Sequence, residues 1–191
     1  IGYGVRELII NNIDSDPAME IIYRVRMDNR VHVYDGLTRQ EQAVSAEVED
    51  LTTLDIADIN NDNELEFCLG NEEGKMIVYD AVLETVLSVF SLTDEVIGSL
   101  KIVNLDANAE KEIICGGAKL QVFSLNNLDL LWESKLTINP DMFYSLTQEI
   151  QVHDIDNDNK MDIFWSNDHG FYQFECSSTA FNDITESINS D

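Results

Sequence analysis

Short apolar runs separated by polar turns fill the chain from end to end, and no segment sustains the 3.6-residue period of an amphipathic helix. Runs of four to eight residues rich in Ile, Val, Leu, Tyr and Phe predict strands. Residues 7–13 read as a first strand, followed by the acidic turn Asp14-Ser15-Asp16-Pro17 and a second strand over 19–25. Met27-Asp28-Asn29-Arg30 forms a hairpin turn, 31–34 a third strand closed by Asp35-Gly36, and 42–48 a weakly alternating fourth. The series returns as 54–59, 65–69, 76–79 and 85–92, then as 97–105, 112–115, 120–123 and 128–132, and then as 149–155, 161–165 and 171–174. The last outer strand lacks a clear pattern, since 177–191 is polar, with Ala180, Phe181 and Ile184 as apolar contacts.

Each series has the content of one antiparallel four-stranded sheet, and an acidic turn always joins its first two strands. These turns begin at Asn12, Asp58, Asn104 and Asp154, which are 46, 46 and 50 residues apart. Small sheets repeated at this period predict an all-β fold, a β-propeller. A sandwich has similar strands but no reason for the turn to recur. The expected blades span 5–49, 50–93, 94–138 and 145–186 within one domain, forming either a closed four-bladed propeller or an arc of a larger one. Because the chain opens at Ile1 rather than Met, it is expected to be a processed product or a part of something longer.

Composition narrows the partners. The 191 residues are 44% hydrophobic, enough for a sizeable core. Their 37 acidic and 11 basic side chains give a formal charge of −26, which repels nucleic acid and anionic membranes and attracts cations. No apolar run is long enough to cross a bilayer. All five arginines, Arg6, Arg24, Arg26, Arg30 and Arg39, fall in the first 39 residues of the chain. They read as an exposed strand face of alternating arginines, with a partner site near Arg24 and Arg26 as the alternative. Cys68, Cys115 and Cys176 show no metal or disulfide spacing and read as buried free thiols.

The turns carry the candidate chemistry. Oxygens at alternate positions of a tight loop can converge on a hard cation that takes six to eight oxygen ligands, and calcium fits best. In the fourth turn Asp154, Asp156, Asp158 and Asp162 supply carboxylates and Lys160 its backbone carbonyl. The second offers Asp58, Asn60, Asp62 and Glu66 with the carbonyl of Glu64. The first offers Asn12, Asp14, Asp16 and Glu20, but Pro17 stands where the loop favours a left-handed Gly or Asn, so binding there is expected to be weaker. The third keeps Asp106 and Glu112 around Asn104 and Asn108, with Ala109 at the turn, and reads as a hydrogen-bonded vestige. An EF-hand is excluded because Trp165 and Leu69 occupy its twelfth position and the flanks are strands.

The D-x-D-x-D-x-x-x-D turn followed by an apolar strand resembles the calcium-binding FG-GAP and VCBS-type repeats of integrin alpha-subunit propellers and many bacterial surface proteins. The resemblance runs through 12–20, 58–66, 104–112 and 154–162 and implies propeller blades with calcium in the loop joining the first two strands. The Phe-Gly and Gly-Ala-Pro signatures are absent, and Pro17, Asn63, Ala109 or Asn159 replaces the usual loop glycine, so the resemblance licenses the fold and the ion but not an integrin-like adhesive role.

No catalytic constellation accompanies the turns. His32, His153 and His169 lack metal or triad spacing, and Trp165, Phe164, Tyr79 and Tyr34 read as packing between blades. Leu130-Leu131-Trp132 lacks the Thr-Gly of a quinoprotein docking motif. The leading expectation is a non-enzymatic, calcium-stabilised module binding a protein or glycan at a cell surface or outside the cell. The alternatives are a cytosolic scaffold propeller of a trafficking or ciliary assembly with no obligatory metal, and the platform domain of a polysaccharide lyase or hydrolase.

Overall fold

The computed structural model describes residues 4–14, 16–25, 28–106, 108, 110–135, 137, 148–167, 170–176 and 185–189. Every regular element among them is a strand. Blade 1 comprises β1 (Val5–Asn11), β2 (Glu20–Val25), β3 (Val31–Tyr34) and β4 (Glu41–Val44), and blade 2 comprises β5 (Leu51–Ala57), β6 (Glu66–Asn71), β7 (Lys75–Tyr79) and β8 (Val86–Ser91). Blade 3 comprises β9 (Ser99–Val103), β10 (Glu112–Gly116), β11 (Leu120–Ser124) and β12 (Leu130–Glu133). Blade 4 comprises β13 (Glu149–His153), β14 (Asp162–Asn167), β15 (Gly170–Glu175) and β16 (Thr185–Asn189). Each is an antiparallel meander in sequence order, so the chain is all-β and its four sheets are β-propeller blades.

Two compact units divide the chain, Ile1–Asp94 with blades 1 and 2, and Glu95–Asp191 with blades 3 and 4. Alternate residues of adjacent blades interdigitate within each. In the first unit Ile22, Val31 and Val33 of blade 1 pack with Leu54, Phe67, Leu69 and Tyr79 of blade 2. In the second, Ile114, Leu120 and Val122 of blade 3 pack with Ile150, Ile163, Trp165 and Phe174 of blade 4. Trp132 meets Phe174 edge-on at 5.5 Å, so the partly buried tryptophan of the outer strand packs against the core of the second unit.

Polar side chains also tie the blades. Glu7 on β1 accepts from Arg24 Nε at 2.7 Å, from Thr53 Oγ1 at 2.6 Å and from the Leu54 amide at 3.1 Å, joining blade 1 to blade 2. Arg24 is therefore buried, not part of an exposed arginine face, because Glu7 neutralises it from the neighbouring strand. Arg26, Met27, Ala109, Asp168, His169, Ala180, Phe181 and Ile184 lie outside the described residues. In the second unit Gln148 accepts from Trp165 Nε1 at 3.3 Å and donates to the Gly117 carbonyl at 3.5 Å. The three cysteines are free and buried, Cys68 and Cys115 within the apolar runs of β6 and β10.

The last outer strand, which has no clear pattern in the sequence, is β16, paired in register with β15 from Thr185↔Glu175 to Asn189↔Phe171. An edge strand needs a ladder on one side alone, so backbone pairing can form it without an apolar signature.

Candidate functional site

All four turns share one closure. The acid at the ninth position starts the second strand of its blade and folds back to accept the backbone N–H of the second position: Ile13 to Glu20 at 2.9 Å, Ile59 to Glu66 at 2.9 Å, Leu105 to Glu112 at 2.8 Å and Ile155 to Asp162 at 3.2 Å. All four acids are buried, so the bond supplies a partner for an amide and a carboxylate that would otherwise be stranded. Burial, partly opposed by the Leu105 amide, lifts the Glu112 carboxyl to about 7, and Glu66 moves up for the same main reason.

The intervening positions hold their own backbone. Asn60 and Asp62 accept from the amides two residues on, both at 2.8 Å, as do Asp156 and Asp158 at 3.1 and 2.9 Å. Asp14 and Asp16 do so at 2.8 and 2.6 Å, and Asp106 and Asn108 at 2.8 and 2.6 Å. Such Asx turns satisfy a tight loop without an external ligand. Asn63 and Asn159 adopt positive φ of 73° and 67°, the left-handed geometry expected of the sixth position. Asn61 and Asn157 do the same at the fourth position with φ of 63° and 62°, a second left-handed site missed in the sequence although asparagine marks it in both loops.

The first position follows the sixth. Asp58 and Asp154 each accept from the fifth and sixth amides, Asp62 and Asn63 at 3.2 and 3.1 Å and Asp158 and Asn159 at 3.1 and 3.0 Å. Pro17 has no N–H to offer, and in that loop the first residue is Asn12, which donates Nδ2 to the Asp16 carbonyl at 2.8 Å. Asn104 likewise donates to the Asn108 carbonyl.

The expected cation ligands are brought together unequally. Among the described residues, carboxylate oxygens of Asp14, Asp16 and Glu20 lie within 4.8 Å of one another, as do those of Asp154, Asp156 and Asp158. In the fourth loop the Lys160 ammonium reaches Asp158 at 2.7 Å and Glu175 at 2.6 Å, and this contact holds the Asp158 carboxyl below its usual range. Asp162 uses both oxygens, one on Ile155 and one on Gln173 Nε2 at 3.2 Å. In the second loop the Asn60 amide nitrogen donates to Glu66 at 3.2 Å, and Glu64 is exposed, its amide bonded to Asp62. In the first loop Glu20 Oε1 is wholly buried and has no hydrogen-bond partner. Asn104 Oδ1 in the third loop is also buried without a partner, but among the described residues only the loop that carries Pro17 combines such an oxygen with three converging carboxylates.

No family model matches the chain, and no curated protein matches it. Its fold is similar to crystal structures of BBS1N in complex with ARL6DN. One, soaked with lead, has a TM-score of 0.66 at 12% identity over 98% of this chain and 57% of that one. The other, soaked with mercury, has a TM-score of 0.68 at 11% identity over 99% and 58%. It is also similar to Sqt1 of Saccharomyces cerevisiae, with a TM-score of 0.61 at 10% identity over 99% of this chain and 47% of that one. The chain spans about half the length of these structures, and at such identities the likeness is one of fold.

Proposed function

We propose that the chain is a non-enzymatic scaffold module that binds a protein partner in the cytosol, of the kind that serves trafficking or ciliary assemblies, with no metal required for its shape. The observation that supports this most is the use of the acidic residues. In every blade they hold their own turn and close it on a buried carboxylate, an arrangement suited to a rigid platform. Acid–base catalysis would need carboxylates facing a substrate instead. The fold neighbour BBS1N is in complex with a protein, ARL6DN, which favours a protein partner over a glycan and a scaffold over an adhesive role. Three buried, unpaired thiols suit a reducing compartment. Immobilised chain is expected to retain a stoichiometric protein partner from cytosolic extract and to bind no glycan on an array. Selective glycan binding, or cleavage of a polysaccharide panel, would overturn this reading.

The calcium implied by the repeat resemblance fits one loop best, and we propose it there as an adjunct. Asp14, Asp16 and Glu20 would hold the ion, which would give the stranded Glu20 oxygen a partner. Saturating calcium, at about a hundred times its Kd, should stabilise the first unit by ~2.7 kcal/mol against chelator. Melting curves of wild type, Asp14→Asn and Asp156→Ala check this. The shift should vanish in Asp14→Asn and persist in Asp156→Ala, and a wild type with no shift removes the metal proposal.

A further inference from the structure

Within the first unit, blade 1 turns one sheet face away from blade 2. Ile9, Ile22, Val33 and Ala43 belong to the core shared with blade 2. On the opposite face the strand register sets Ile10 beside Ile21 and Ile21 beside Tyr34 in one row. In the next row Leu8 is beside Tyr23, Tyr23 beside His32, and His32 beside Val44. Leu8, Ile10, Ile21, Tyr34 and Val44 are 38–62% exposed, so large apolar side chains from all four strands form one patch. Contiguous apolar patches of this kind mark interaction sites, whereas single exposed residues do not.

The middle of the patch is already ordered. The His32 ring stacks on Tyr23 with centroids 5.1 Å apart, and its two nitrogens contact Asp28 at 2.7 Å and Glu41 at 2.8 Å. A surface held in place before binding loses little entropy when it docks.

Charge selects the partner. Arg6 and Arg30 lie at the end of the sheet where β1 and β3 begin, and Arg39 lies at the opposite end, just before β4. Among the described residues none of the three has a carboxylate partner, although the chain carries 37 acidic side chains against 11 basic ones. Arginines with no described carboxylate partner, at both ends of an apolar face, complement a surface of opposite sign. A second copy is a poorer occupant, since two chains of charge −26 repel each other.

We infer that this face of blade 1 is a docking surface for a partner protein whose apolar contact region is bordered by carboxylates. The inference rests on the scaffold reading above and names the place where that scaffold binds. The probe is a phage-displayed library of random peptides, selected on the wild-type chain and compared on Ile10→Asp, Arg6→Ala and Arg39→Ala, with far-UV dichroism confirming that each variant is folded. Ile10 is 62% exposed, so its substitution should leave the fold intact. Winning peptides should combine apolar residues with Asp or Glu. They should bind Ile10→Asp about tenfold more weakly or worse, bind each arginine variant about threefold more weakly, and lose affinity as salt rises. Winners that bind wild type and Ile10→Asp equally, or that are basic, would overturn this face while leaving the scaffold reading in place. A library with no winners at any surface would overturn both. A wild-type dimer abolished by Ile10→Asp in sedimentation equilibrium would replace the partner protein with a second copy.

Discussion

Removing the Glu7 carboxylate should cost more than the ion pair it forms contributes. Burial raises the Glu7 carboxyl pKa, Arg24 and the hydrogen bonds lower it, and the net direction is upward, so desolvation outweighs attraction. Yet Glu7→Ala would strand three donors at once, the Nε–H of Arg24, whose side chain is 6% exposed and keeps only the Leu51 carbonyl at 3.5 Å, the buried Thr53 hydroxyl and the buried Leu54 amide. Breaking a buried pair from one side costs ~3–5 kcal/mol, and the quarter of the Glu7 side chain that remains exposed points to the lower half of that range. For a unit of this size ~3 kcal/mol corresponds to a fall in Tm of roughly 12–24 °C. Urea unfolding of wild type, Glu7→Ala, Arg24→Met and the double variant Glu7→Leu/Arg24→Met measures both the cost and the coupling. The double variant should recover most of the stability lost in Glu7→Ala, because two apolar side chains leave no orphaned charge. A loss below about 1 kcal/mol in Glu7→Ala, or a double variant no better than the single one, would refute the reasoning.

Two pH-dependent outcomes follow from the same physics. Glu112 has a folded pKa of about 7 against 4.5 in the unfolded chain, so its protonated form is favoured by folding and its contribution to stability is lost as pH rises from 4.5 through 7. Glu112→Gln keeps an acceptor for Leu105 and carries no charge; it should match wild type near pH 4.5 and exceed it above pH 7 by about 1–2 kcal/mol after discounting for solvent screening, as read from urea unfolding across pH. Burial lowers the His32 pKa, but its bonds to Glu41 and Asp28 outweigh burial and raise it, so the stability it supplies is present below about pH 6.5 and disappears as pH climbs through the folded value. NMR titration of the His32 ring proton should show the raised midpoint, and His32→Gln should remove that part of the pH dependence of melting.

The repeat was legible because its signal is local. Nine residues recur at nearly constant spacing, and the alternating apolar runs beside them show which side chains face inward. Strand ends were less legible, because hydrogen bonds to distant residues decide them. The expected first strand ran to Ile13, but the Ile13 amide goes to Glu20 instead of a strand ladder, and β1 stops at Asn11. β5 begins at Leu51 and includes two buried threonines that break the apolar pattern. Thr52 donates to the Gly70 carbonyl at 2.9 Å, and Thr53 is satisfied by Glu7 of another blade. Arg24 looked exposed for the same reason, since its partner lies 17 residues earlier. In the turns, the sequence shows which residues bear oxygens but not where those oxygens point, so the backbone closure made by Glu20, Glu66, Glu112 and Asp162 is visible only once they are placed.

The pairing of the first and sixth loop positions also limits how these turns can change over time. An Asn12→Asp substitution alone would face Pro17, which has no amide to donate, and it would also lose the donor now bonded to the Asp16 carbonyl. Replacing Pro17 first would release an amide with no carboxylate waiting for it. The third turn already pairs Asn104 with Ala109, so the second order is open and the first is not, and relatives of this chain should carry Asp at the first position only where the sixth is not Pro.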